Sequence, residues 1–182
     1  MGWKEGIYIG FYRVAIVIFV VAIPVLLVTT SLRIAFGGVW LYTYGFERFD
    51  INQSSGIPDP ELRRIAHEIV NYWDSDERFL DIRIEGQPLY NQREVIHMRD
   101  VKSLVSGLFH VQEAAAALIL LCGLVGWFHE RGGIWKVLIA RVKAGGIVSL
   151  GLLTISGIAL GIAFPWLFHI FHLISFSNDF WQ

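Results

Sequence analysis

The sequence predicts an all-α membrane protein, a helical bundle of three spans with a small extracytoplasmic α+β cap. Three observations lead to that class. Residues 14–32 and residues 144–178 contain no Asp, Glu, Lys or Arg. Each run can supply the roughly 20 apolar residues that cross a bilayer core of about 30 Å. The 182-residue chain is 54% hydrophobic and only 17% charged, where an ordinary soluble domain is about a quarter charged. The charges are also unevenly placed: the stretch from Arg33 to Lys102 holds 12 acidic and nine basic side chains. This pattern excludes a disordered chain, a soluble enzyme and a nucleic-acid binder that needs a basic face. Cys122 is the single cysteine, so no internal disulfide framework exists.

The first span is expected at 14–34, preceded by a cytoplasmic segment 1–13 whose Tyr8, Phe11, Tyr12 and Arg13 suit a headgroup boundary. Its apolar run exceeds the usual signal-peptide core and no small-x-small site follows, which favours an uncleaved anchor. Pro24 falls in mid-span, where membrane helices tolerate a kink. A second span is expected at 104–128, with a polar first half containing Ser106, His110, Gln112 and Glu113. A third is expected at 145–170, with Pro165 placed to bend or end the helix. Gly157 and Gly161 form a small-xxx-small pair that reads as a helix-packing contact.

Orientation follows from the short loops. Arg131, Lys136, Arg141 and Lys143 stand against one Glu130, and Lys4 and Arg13 lie near the amino terminus. Both regions are expected in the cytoplasm. The segment 129–144, with Trp135, Val137, Leu138, Ile139 and Val142 among its cations, reads as an amphipathic stretch on the inner surface. The acidic segment 35–103 and the carboxyl end, 171–182, then lie outside.

Such a long outer segment should carry structure of its own. Asp59-Pro60-Glu61 opens a helix. Leu62, Ile65, Ala66, Ile69, Val70 and Trp73 then recur at three and four, predicting an amphipathic helix to about residue 73. Residues 80–84 alternate as a strand, 85–88 turn it, and Leu89-Tyr90 begins a return strand. From Arg93 the chain reads as helix running into the second span.

Of six histidines, His67 and His129 read as surface or packing residues. His97, His110, His169 and His172 are expected near the outer boundary, where an ionisable group is a functional candidate. On a straight helix Arg99, Lys102, Ser103, Ser106, His110 and Glu113 share one face, and His97 lies opposite with Leu104, Leu108 and Val111. Asp100, about one turn on, is placed to orient the His97 imidazole. A straight helix leaves His97 about 10 Å above the hydrocarbon edge, so pairing it with His172 needs a bend or an inserted cap. His169-x-x-His172 with His97 or His110 could bind a metal, but no H-E-x-x-H pattern or thiolate cluster supports it. No G-x-S-x-G elbow is present for a serine nucleophile.

Two stretches resemble a known family. Arg93-Glu-Val-Ile-His97-Met98-Arg99-Asp100-Val101-Lys102 is similar to an H-M-x-D-V-K segment. Phe171-His172-Leu-Ile-Ser-Phe176-Ser-Asn178-Asp179-Phe-Trp181 is similar to F-H-x-x-x-F-x-N-D-x-W. Both occur, in this order, in the lipoprotein intramolecular transacylases, bacterial integral membrane proteins that make lyso-form lipoproteins. Weaker agreement runs through Tyr44-Gly45-Phe46 and the spacing of Gly56, Leu62 and Tyr72. The family's pattern continues past the N-D-x-W motif into a fourth span, which has no counterpart among these 182 residues.

The resemblance implies transfer of the sn-2 acyl chain of a diacylglyceryl-cysteine to the α-amino group of that cysteine. It implies a diacylated lipoprotein and membrane lipid as partners, a bacterial plasma membrane with the site facing outside, and His97 and His172 as catalytic. Arg99, Asp100, Lys102, Asn178 and Asp179 are expected to support them. Neither cofactor, metal nor nucleic acid is expected, and no covalent acyl-enzyme. From the residues alone two other readings stay open: a non-enzymatic membrane protein whose cap binds a partner, and a metal-dependent membrane hydrolase.

Overall fold

The computed structural model describes the backbone of residues 3–129 and 134–181 and the side chains of 14–127 and 136–181. In chain order the elements are α1 (Trp3–Gly37), α2 (Val39–Arg48), α3 (Ile51–Ser55), α4 (Asp59–Asp74), β1 (Arg83–Ile84), β2 (Gln87–Pro88), α5 (Gln92–His129) and α6 (Ile134–Ser175). Among the described residues three helical stretches are long and apolar enough to cross a membrane: Val14–Gly37, Gln92–Trp127 and Lys136–Ser175. The last two contain 36 and 40 residues. At 1.5 Å per residue they are about 54 and 60 Å long, well beyond a hydrocarbon core of about 30 Å.

The chain divides into two compact units, residues 1–30 with 109–168, and residues 31–108 with 169–182. In the first unit α1 and α6 meet through small residues. Phe19, Ala22, Pro24 and Thr29 are buried on α1, Gly145 and Ser149 on α6. The Thr29 hydroxyl donates to the Val25 carbonyl at 2.7 Å and the Ser149 hydroxyl to the Gly145 carbonyl at 2.8 Å. Both hydroxyls are thus satisfied within their own helix, as an apolar surround requires. A Cβ at Gly145 would lie 2.4 Å from Ile23 Cδ1 and 2.8 Å from Ile23 Cβ, so only glycine permits this approach.

The small-xxx-small contact of this unit is therefore Gly145 with Ser149. Among the described residues the contact expected at Gly157 and Gly161 is not seen: a Cβ at either would meet nothing within 4 Å. The reason is that no other described helix covers that stretch of α6, where Ile155, Ile158 and Ile162 are exposed. Part of the polar half of α5 is explained here: Gln112 Nε2 donates to Thr30 Oγ1 at 2.9 Å.

α6 starts at Ile134, so the end of the basic segment 129–144 forms its first turns rather than a separate loop. Ile134–Ala144 contains no Gly or Pro, and extending a helix costs less than nucleating another. Glu130, Arg131 and the side chains of His129 and Trp135 lie outside the described residues. The regular path of α6 breaks at Ala163 (φ −128°, ψ 28°), two residues before Pro165. Proline lacks the N–H and crowds the preceding turn, and the helix resumes to Ser175.

The second unit is the cap. The α4 face buries Leu62, Ile65, Ala66, Ile69, Tyr72 and Trp73. Val70, expected on that face, is only half-buried, and Tyr72 takes its place. Trp73 stacks edge-on with Phe36 at 5.5 Å, and its indole N–H donates to the Tyr42 hydroxyl at 3.0 Å. Leu80, Ile82, Val105 and Phe176 complete the core. The hairpin is tighter than the sequence predicts: the turn is Glu85-Gly86 alone, with φ 49° and 81°, and the return strand is Gln87–Pro88. Two consecutive residues with positive φ match the twist of the flanking strands, and glycine supplies the second without strain. Arg64 fastens the hairpin to α4 by donating to the Arg83 carbonyl at 2.7 Å while pairing with Glu61 and Glu68.

Candidate functional site

The site is built on the start of α5 and the end of α6, within the cap unit. α5 starts with a capping box. The backbone N–H groups of Arg93 and Glu94 donate to Asn91 Oδ1 at 2.9 and 3.1 Å, and Glu94 Oε2 accepts from the Asn91 N–H at 2.7 Å. That Asn-x-x-Glu pattern was readable in the sequence and sets the start of the helix one residue before Arg93. His97 follows one turn later.

His97 and His172 come together. Their ring centroids are 6.1 Å apart at an interplanar angle of 28°. His172 is 7% exposed, and His97 is half-buried. The Nδ1 atom of His97 is buried and has no hydrogen-bond partner among the described residues. Phe176 lies 4.8 Å from the His97 ring and 5.5 Å from the His172 ring. Trp181 lies 4.7 Å from His172 and 5.5 Å from His169. The two histidines are therefore set in an aromatic surround.

The remaining expected residues separate by function in the fold. Asp100 accepts from Arg99 Nε and Nη2 at 3.0 and 2.7 Å through one oxygen, and from Asn178 Nδ2 at 2.8 Å through the other. Asp179 pairs with Arg93 at 3.4 Å and is largely exposed. Lys102 turns to the loop after α4, donating to the carbonyls of Ser75 and Glu77 at 2.7 Å each and to Ser75 Oγ at 3.1 Å. Its ammonium also sits 4.1 Å from the Tyr72 ring centroid. His67 is exposed on α4, and His110 belongs to the other unit. Among the described residues no group of three His, Cys, Asp or Glu side chains is placed to hold a metal ion.

Sequence reasoning passed over Arg93, Phe176 and Trp181 as site residues, although all three stand inside the quoted motifs. Periodicity carries no signal for a short non-helical tail, and only its contacts reveal its part. Electrostatics elsewhere in the cap follow from burial: Tyr42, Tyr72 and Tyr90 all have their phenol pKa raised, first of all by desolvation.

Span-length helices, a small cap and a histidine pair on two of those helices define a helical integral membrane protein with two histidines paired in an aromatic surround. The lipoprotein intramolecular transacylase Lit family model matches residues 17–182. The chain therefore belongs to the lipoprotein intramolecular transacylase family and is a membrane transacylase. Two solved structures share its fold. The membrane-integral lipoprotein intramolecular transacylase Lit from Bacillus cereus is 18% identical, with a TM-score of 0.75 over 93% of this chain and 74% of that one. A histidine-to-arginine variant of the same protein gives 18% identity and a TM-score of 0.76, over 100% of this chain and 78% of that one. No curated protein sequence matches the chain.

Proposed function

We propose that this protein moves the sn-2 acyl chain of a diacylglyceryl-modified amino-terminal cysteine onto the α-amino group of the same cysteine. The product is an N-acyl, S-monoacylglyceryl lipoprotein, and the reaction takes place at the outer leaflet. The observation that carries this reading is the 6.1 Å separation of the His97 and His172 rings. Two imidazoles at that spacing can each hydrogen-bond, at about 3 Å, to a different atom of one tetrahedral centre.

Donor ester and acceptor amine sit on one substrate molecule, so the protein's first task is to hold them at attack geometry. An α-amino group has an ordinary pKa near 8, and its neutral fraction attacks the ester carbonyl without an enzyme nucleophile. As nitrogen bonds to carbon, one proton leaves the nitrogen, an oxyanion forms, and the departing alkoxide gains a proton. A histidine, with an ordinary pKa near 6.5, suits both proton steps. In this reading His172 takes the proton from the amine and returns it to the glyceryl oxygen, and His97 stabilises the developing charge. Asp100 fixes the α5 side of the pair through Arg99 and Asn178. The acyl chains have apolar surface close by: Leu104, seven residues beyond His97 and on the same helical face, is 40% exposed.

His97→Ala and His172→Ala should each give folded membrane protein that leaves the lipoprotein amino terminus unacylated, read by mass spectrometry of that terminus. Normal conversion by either variant overturns the assignment.

A further inference from the structure

Residues 176–181 after α6 form a short strap tied to α5 at successive residues. Asn178 Nδ2 donates to Asp100 Oδ2 at 2.8 Å, and the Phe180 backbone N–H donates to Asn178 Oδ1 at 3.1 Å, folding the strap on itself. The Asp179 carboxylate pairs with Arg93 at 3.4 Å, and the same guanidinium lies 5.2 Å from the Phe180 ring. These ties end at Trp181, whose ring lies 4.7 Å from His172 and is tilted 34° to it.

We infer that Trp181 is a positioning residue for His172, and that the Asp100–Asn178 and Arg93–Asp179 ties exist to deliver it. The inference rests on the proposed role of His172. Without a neighbour on that side, an imidazole near the end of a helix swings between staggered rotamers. With Phe171 edge-on at 5.2 Å, Phe176 at 5.5 Å and the indole at 4.7 Å, the ring is held on several sides. Aromatic neighbours hold a ring by shape and by the electrostatics of face and edge, at little entropic cost to themselves. Every residue of the Asn-Asp-x-Trp motif other than the x position then has a physical task. Asn178 and Asp179 anchor, and Trp181 packs against the histidine.

The ties also explain why Asp100, although one turn from His97, turns its second oxygen to Asn178. It joins the element carrying His97 to the strap that orients His172. A misplacement of about 1 Å in a reacting group can lower a rate by about a hundredfold, so the ties act on chemistry more than on substrate binding.

The test measures kcat and KM on a synthetic diacylglyceryl lipopeptide in lipid nanodiscs, using the full chain checked for thermal unfolding. Trp181→Leu should lower kcat by about tenfold to a hundredfold with KM unchanged within about threefold. Trp181→Phe, which keeps a flat ring, should stay within about threefold of wild type in kcat. Asn178→Ala should lower kcat by several-fold, and the Asn178→Ala, Trp181→Leu double variant should be no slower than Trp181→Leu alone. Wild-type kcat in Trp181→Leu, an equal loss in Trp181→Phe, or multiplicative losses in the double variant overturn the inference. If Trp181→Leu does not fold, Asn178→Ala decides the matter, and an unchanged kcat overturns it. His172→Ala is the reference: if it is inactive while Trp181→Leu is fully active, only this inference fails. If His172→Ala is itself active, the proposed function fails.

Discussion

Replacing Lys102 with methionine separates a residue that builds the cap from one that handles substrate. The ammonium of Lys102 donates to two backbone carbonyls at 2.7 Å and to a hydroxyl at 3.1 Å, and it sits 4.1 Å from the Tyr72 ring. Three acceptors match its three protons. Methionine keeps the packing of the stem and removes every one of these interactions. A hydrogen bond to a charged group contributes about 1.5–3 kcal/mol, and a partly exposed cation–π contact about 0.5–1 kcal/mol. The hydrogen bonds share one donor atom and do not add fully, so the expected loss is about 2–4 kcal/mol. For a chain of this size each kcal/mol lowers Tm by about 2–4 °C, giving a fall of about 4–16 °C. Thermal unfolding in detergent measures that, and single-turnover acyl transfer below the new Tm measures chemistry. The folded fraction should keep kcat within a few-fold of wild type. A Tm unchanged within about 1 °C together with a collapsed kcat would refute the argument, because Nζ would then be acting on substrate. Lys102→Arg should recover only part of the loss, since a planar fork does not match three convergent acceptors.

Two further outcomes follow from packing and titration. Gly145→Ala places a Cβ 2.8 Å from Ile23 Cβ. The overpacking, about 1–3 kcal/mol, should exceed the gain in helix propensity of about 1 kcal/mol. A Cβ added at the neighbouring Gly146 would meet nothing within 4 Å, so Gly146→Ala should leave Tm level or raise it; equal behaviour of the two variants would contradict the packing. The tyrosines Tyr42, Tyr72 and Tyr90 have folded pKa values raised above 10.0 by burial. The folded state then holds more protons than the unfolded state above that value. The contribution of these tyrosines to cap stability should be flat below about pH 10 and fall as pH rises through the folded pKa values. Tyrosinate absorbance of the folded protein that titrates entirely at the ordinary value would contradict this.

Much of the architecture was legible because membranes and amphipathic helices leave strong one-dimensional signatures. Charge-free runs marked two of the three helices long enough to cross a bilayer, and the spacing of Leu62, Ile65, Ala66 and Ile69 marked α4. Asp59-Pro60 and Gly86 marked a helix start and a turn. Errors arose where a signature is satisfied by a partner rather than by a pattern. Gly157 and Gly161 have the right spacing for helix packing, yet Gly145 and Ser149 are the small pair that meets α1. Spacing says which residues share a face and nothing about which face finds a neighbour. Helices α2 and α3 were not foreseen: both are short, and neither buries a residue fully.

The same division runs through the site. The sequence alone determined the family, because two histidine motifs in fixed order are a local record that needs no folding to be read. It also determined that the chain is an integral membrane protein, since apolar length is a property of the string. Only the tertiary structure decided that His97 and His172, 75 positions apart in the chain, stand 6.1 Å from each other. Only it decided that Lys102 holds a loop, that Asp100 reaches Asn178, and that Trp181 packs against His172. Those facts depend on how a short strap after α6 folds on itself and back onto α5. Long-range side-chain geometry is set by the packing of whole elements, and no local pattern of residues encodes it.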